Sequence, residues 1–133
     1  MSEQPPNETR AFDALYGLEL TECSEEAARA RVHVRDELRQ PGGLVHGGVY
    51  SAIADALAAR GTAAHVAREG NLAVALSNHT SVLHPMTHGT MHATAVRRHR
   101  GRTTWVWEVE MTDDQGRLCV LTRMTIAVRE LPS

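Results

Sequence analysis

The segment QPGGLVHGGVYSAIADALAARG, residues 40–61, holds the residue types best able to do chemistry. His46-Gly47-Gly48 opens a predicted helix, and Asp55 is the one acid on its small, apolar body. A helix start presents free N–H groups and a partial positive charge. Glycines there let a substrate approach the backbone closely. Such a start suits an anion, or a carbonyl oxygen that becomes one. Asp55 adds a carboxylate that can attack a carbonyl or activate water. These are the two halves of an acyl-transfer site. Gly47 and Asp55 lie eight residues apart, roughly 12 Å along one helix. A side chain leaning back toward the N-terminus does not close that gap. One carbonyl can touch both only if they come from two copies of the helix, in a dimer that shares its sites. On spacing alone, an exposed and idle Asp55 is the commoner case.

Other candidates are weighed the same way. His46 adjoins a helix start, where positive charge is disfavoured, so it reads as a neutral hydrogen-bonder before it reads as a base. His84, His88 and His92 have i, i+4, i+8 spacing, a metal pattern on a helix. Pro85, Gly89 and neighbouring strand patterns argue against a helix there, so surface histidines and no metal are expected. Asn78 sits on a strand, where packing and pocket lining are equally good readings. The basic stretch RRHRGRTT is by default a solvated turn. Trp105 and Trp107 alternate on a strand and are read as core.

These residues need elements to position them. Residues 1–8, with Pro5 and Pro6 as breakers, predict a disordered leader, and residues 9–133 a single domain. TRAFDALYG predicts a short helix with Thr9 as N-cap and Gly17 as stop. LELTEC predicts a first strand. AARARVHVRDEL alternates, Ala28, Ala30, Val32 and Val34 opposite Arg29, Arg31, His33 and Arg35, as a half-buried strand does. One long helix runs from Gly47 to about Ala67. Four strands follow: NLAVALSNHTSVLH, GTMHATAVRRH, TTWVWEVEMT and, after a DDQG hairpin turn, RLCVLTRMTIAVRE. A large antiparallel sheet must cover one face, and the long helix is the available cover. A curved sheet wrapped around one central helix follows, an α+β fold. The other sheet face and the edge strand call for oligomerisation.

Composition sets the bounds. The chain has 133 residues, one domain's length, and a net charge of −2. No field suited to nucleic acid results. All 14 basic residues are Arg. Cys23 and Cys119 give neither a disulfide framework nor metal spacing. The start is polar and acidic, unlike a signal peptide, and no apolar run reaches membrane-spanning length. A cytoplasmic protein without membrane contact is expected.

From about residue 30 to 129 the chain resembles the hotdog-fold acyl-CoA thioesterases. It is most similar to the 4-hydroxybenzoyl-CoA thioesterase branch whose acid lies on the central helix. LRQPGGLVHGGVYSAIADALA, SNHTSVLHP, RGRTTWVWEVEMTDDQGRLC and MTIAVR carry the resemblance. It implies that the Gly47 N–H polarises a thioester carbonyl and that Asp55 of the neighbouring subunit is nucleophile or base. Gln40 and His46 would line the same pocket. Arg100 and Arg102 would contact coenzyme A phosphate, which guanidinium pairs bidentately. Thr103 and Thr104 would bind pantetheine or ribose, and His84 would stand at a phosphate contact. Coenzyme A is then part of the substrate, and no separate cofactor is implied. The family builds dimers, commonly paired into tetramers. The aryl-CoA enzymes of the branch carry Glu at the acid position, whereas phenylacetate-pathway relatives use Asp, as here. Ala59 stands where the branch has Thr. An aromatic acyl-CoA is the implied substrate. The alternatives are a non-catalytic acyl-CoA binding module and a hotdog dehydratase, although the Asp-Pro-x-N-x-x-H-type signature of the latter is missing.

Overall fold

The computed structural model describes residues 9–131. The leader expected at residues 1–8 lies outside the described residues. Two helices and six strands follow one another: α1 (Ala11–Leu15), β1 (Glu19–Cys23), β2 (Ala27–His33), α2 (Gly47–Val66), β3 (Asn71–Val82), β4 (Thr90–Arg100), β5 (Thr104–Thr112) and β6 (Leu118–Glu130). The strands form one antiparallel sheet in the order β1-β2-β4-β5-β6-β3.

α2 forms because alanine, the best helix former, fills it and no proline interrupts it. A one-turn 3-10 segment, Ala67–Glu69, extends it to Gly70, whose φ of +76° gives the left-handed stop that favours glycine. One face of α2, Tyr50, Ile53, Ala54, Leu57 and Ala58, is buried. It joins Met91, Trp105, Trp107, Val109, Met111, Met124 and Ile126 in one core. The sheet can close on the helix because the contact residues are small at the tightest point. A Cβ on Gly61 would stand 2.4 Å from the Trp107 ring. The Trp107 indole N–H donates to the Thr62 hydroxyl at 2.9 Å, and that hydroxyl donates to the Ala58 carbonyl at 2.8 Å. Both tryptophans are therefore core, as the strand alternation predicts. Register shifts in the β1–β2, β3–β6, β4–β5 and β5–β6 pairings bend the strands and help the sheet curve.

Two local expectations need correction. The N-cap of α1 is Arg10, not Thr9, and it makes no side-chain capping bond. Strand β2 stops at His33, although the alternation in burial runs on through Val34, and Asp36–Leu38 form a 3-10 turn that starts the loop toward α2. At the other end of the sheet, β3 has no buried residue along its 12 positions.

Candidate active site

The loop before α2 fixes the helix start. The Gln40 N–H donates to the Leu44 carbonyl at 2.7 Å, and the Gly43 N–H to the Gln40 carbonyl at 2.9 Å. The Gln40 side-chain oxygen accepts from the Gly42 N–H. The Val45 N–H is anchored on the Met86 carbonyl at 2.9 Å and the His46 N–H on the Leu38 carbonyl at 2.8 Å. His46 is the N-cap: its Nδ1 accepts from the Gly48 N–H at 2.9 Å. That bond requires an unprotonated Nδ1, so the cap is made by the neutral ring. The Val49 N–H is taken by the His46 carbonyl. Gly47 is the first helical residue, a position whose N–H has no partner within the helix. Gly47 is exposed, and a Cβ there would meet nothing within 4 Å.

Further along α2, Gly48, Ser51, Ala52, Asp55 and Ala59 recur at helical spacing and share one face of the helix, next to β3. They floor a groove of about 680 Å³, which Phe12, Asp13, Arg60 and Asn78 also line. Asn78 reaches from β3 to donate to the Ser51 carbonyl at 2.9 Å, one turn before Asp55. Thr80 donates to the Asn78 side-chain oxygen at 2.7 Å and holds the amide in that orientation. The Asp55 side chain is open to solvent in the single chain. Its carboxyl pKa is nonetheless raised, first by desolvation against the groove walls and then by the charge of Asp13. A carboxylate whose pKa is raised is a stronger base than an ordinary one.

The structure brings Asp55, Ala59 and Asn78 to one groove and places the other candidates elsewhere. Gln40, His46 and Gly47 are at the helix start. His84 lines a cavity of about 310 Å³ with His88, Asp113, Asp114 and Arg117. Arg100 and Arg102 line a third, of about 390 Å³, beside His65, Glu69 and Trp105. Arg100 is already engaged there. It donates to Glu25 at 3.0 Å and to His65 Nε2 at 2.6 Å, and it lies over the Trp105 ring at 5.3 Å. Thr103 accepts from the Val128 N–H through its carbonyl at 2.9 Å, and Thr104 closes the turn by accepting from the Gly101 N–H at 2.8 Å. Sequence reasoning missed Phe12, Asp13, Ser51 and Arg60. Ser51 was within reach of helical spacing from Asp55; Arg60, five residues on, falls outside that spacing, and Phe12 and Asp13 come from a distant element and gave no signal. Among the described residues, no group of three or more His, Cys, Asp or Glu side chains is placed to hold a metal ion.

The thioesterase superfamily profile matches residues 42–120. The chain belongs to the thioesterase superfamily. It is 38% identical over 119 residues to Rv1847 of Mycobacterium tuberculosis, a protein carrying an esterase name, with 88% of this chain and 85% of that one covered. The solved structure of that protein superposes with a TM-score of 0.87 over 92% of this chain and 98% of that one. The 1,4-dihydroxy-2-naphthoyl-CoA hydrolase of Listeria monocytogenes is 31% identical over 114 residues, covering 86% and 92% of the two chains. The structure of a variant of thioesterase PA1618 from Pseudomonas aeruginosa, 28% identical, superposes with a TM-score of 0.86 over 91% of this chain and 87% of that one. The fold is thus the hotdog fold, and the thioesterase is an enzyme of thioester hydrolysis. No helix among its described residues is long and apolar enough to cross a membrane.

Proposed function

We propose that this thioesterase hydrolyses an aromatic acyl-CoA to the free acid and coenzyme A, in the manner of the branch whose acid lies on the central helix. One observation carries the reading: Asp55, the lone acid of α2, floors an alanine-lined groove and has a raised pKa. Acting as nucleophile, the carboxylate attacks the thioester carbon and expels the thiolate, and water then cleaves the mixed anhydride. Acting as base, it takes a proton from the water that attacks. Either route builds negative charge on the carbonyl oxygen, which the N–H of Gly47 stabilises. Gln40 lies in the same loop, and neutral His46 keeps the glycine turn in shape.

The carbonyl and its two partners meet across a dimer. β3 is a 12-residue edge strand with Leu72, Val74 and Leu76 exposed at 42%, 45% and 56%. A long apolar edge is a template for another strand. Pairing β3 with its copy about a two-fold axis continues the sheet and sets two α2 helices side by side, antiparallel. Each Asp55 then lies near Gly47 of the partner subunit. The Listeria relative, named as the hydrolase of a bicyclic aryl-CoA, supports an aromatic acyl group.

Free-thiol release from a panel of acyl-CoAs tests this. Aryl-CoAs should be turned over faster than straight-chain acyl-CoAs of similar size. Binding without thiol release would establish the non-catalytic module instead. Loss of water from a 3-hydroxyacyl-CoA, with no thiol released, would establish the dehydratase.

A further inference from the structure

The groove that holds Asp55 is lined in part by residues that precede the span shared with the family profile, residues 42–120. They lie on α1, a helix of five residues with no buried residue and no side-chain N-cap. Its first residue, Ala11, has a φ of +53°, a left-handed conformation that costs a non-glycine residue energy. A helix this short does not stand by itself. One tertiary ion pair and one local side-chain bond hold it. Asp13 Oδ2 accepts from Arg60 of α2 at 2.9 Å, and Asp13 Oδ1 accepts from the Tyr16 hydroxyl at 2.9 Å. Tyr16 is itself buried, and burial together with the Asp13 charge pushes its phenol pKa far up, so it stays a donor. Asp13 is thus a fixed carboxylate, its side chain 19% exposed, at the wall of the groove.

The contents of the groove change along α2. Gly48 and Ser51 lie toward the helix start. Past Asp55, the lining is Ala56, Ala59 and the ring of Phe12, and then Asp13 and Arg60. Phe12 is 62% exposed and touches Tyr16 edge-on, so its outer ring face is open to a flat ligand. Asp55 and Arg60 are five residues apart, about 7.5 Å along the helix axis. That leaves room for a ring between the reacting carbonyl and the Asp13–Arg60 pair. A carboxylate has about four acceptor sites. The bonds from Arg60 and Tyr16 take one on each oxygen, so Asp13 keeps acceptor capacity toward the groove. It is also close enough for its charge to act on Asp55.

We propose that Asp13 is the specificity-determining residue of the acyl groove. It accepts a hydrogen bond from a hydroxyl or amino group at the far end of the acyl group and repels a carboxylate there. Arg60 and Tyr16 are positioning residues that aim it, and Phe12 supplies the face on which the ring lies. This rests on the acyl-CoA reading above.

The test uses non-hydrolysable thioethers of coenzyme A, so that binding is read apart from turnover. Phenacyl-CoA, 4-hydroxyphenacyl-CoA and 4-carboxyphenacyl-CoA are titrated calorimetrically into the whole protein. The hydroxyl compound should bind about tenfold tighter than phenacyl-CoA, the worth of one charge-assisted hydrogen bond. The carboxyl compound should bind about tenfold more weakly. Asp13→Asn should compress the three affinities to within about threefold, whereas Asp13→Glu keeps the charge and should keep the rejection of the carboxylate. Phe12→Leu should weaken all three together and leave their ratios intact. Equal affinities in the wild type, or ratios that survive Asp13→Asn, overturn the proposal without reference to any variant's catalysis. A wild type that binds in the expected order but releases no thiol from the matching thioesters sinks the proposed aryl-CoA hydrolysis and supports this one. Thiol release with flat affinities does the reverse, and a wild type that binds none of the three overturns both.

Discussion

Asp55 meets two conflicting conditions: the proposed role needs it ionised, and its surroundings favour the neutral form. Desolvation by the groove walls comes first and the charge of Asp13 second, and both raise its pKa. A carboxyl whose folded pKa lies above its unfolded value stabilises the fold at low pH, and that contribution is lost as pH rises through the folded pKa. Asparagine resembles the neutral acid. Asp55→Asn should therefore melt higher than wild type at neutral pH and level with it below the ordinary carboxylate range. The same variant should keep acyl-CoA binding and lose at least ~10²-fold in turnover, the low end of losses for a general base. Thermal scans at the two pH values and thiol-release rates check both halves. Lower stability at neutral pH with turnover retained would make Asp55 a structural residue. In the wild type, the acid limb of kcat/KM should fall at a pH above the ordinary range for Asp. Asp55 was legible because a lone acid on an alanine helix breaks the pattern around it. Asp13 was not, because its partner Arg60 lies 47 positions away and nothing local marks the pair.

At the scale of elements, the β4–β5 turn shows why a basic stretch is not one site. Arg97 and Arg100 both lie over Trp105 at 5.3 Å, and both reach Glu25, so they tie β4 to the chain between β1 and β2. Arg102 is exposed at the tip of the turn. A phosphate contact far from the reacting atoms is made equally in ground and transition states. Arg102→Ala should then raise KM for acyl-CoA several-fold and leave kcat nearly unchanged, while an acyl-pantetheine substrate is indifferent to it. Steady-state kinetics on the two substrates decide; equal loss on both would make the turn structural. Arg100→Ala is a poor probe of the same idea, since it also strips Glu25 and His65 of a partner. The strands themselves were legible where one face is buried and the other wet. Ala28, Ala30, Val32 and Val34 on one side of β2 and its extension, and Trp105 through Met111 on β5, are buried as their alternation requires. Bulges left no trace, because one extra residue shifts the pattern without changing its composition. The start of α1 was misread because the cap rule presumes a side-chain bond that Arg10 does not make.

At the scale of the molecule, Gly47 and Asp55 stand roughly 12 Å apart along one helix, so the proposed mechanism needs two copies of the chain. The unpaired β3 edge, with none of its residues buried, is where the second copy would join. In the proposed dimer, pairing β3 with its copy would give two equivalent sites, each with Gly47 from one chain and Asp55 from the other. Two variants separate these contributions. Asp55→Asn lacks the acid. Gly47→Trp blocks the approach to the N–H, and because a Cβ at Gly47 meets nothing within 4 Å, the added ring can point away from the chain's own fold. Each variant alone should be inactive. In a heterodimer, the intact Gly47 of the first chain meets the intact Asp55 of the second. The other site carries both lesions. Unfolding and refolding an equal mixture gives about half heterodimer by random pairing, and each heterodimer has one working site of two. Activity should return to about a quarter of wild type by the same symmetry argument. Circular dichroism on Gly47→Trp establishes that it folds, and a mass-tagged chain establishes exchange. With both in hand, a mixture no more active than its components would show that the two groups do not act on one carbonyl. Recovery to a quarter would fix the two-fold arrangement of the helices, and with it the reason a helix of alanines keeps a single acid so far from its own N-terminus.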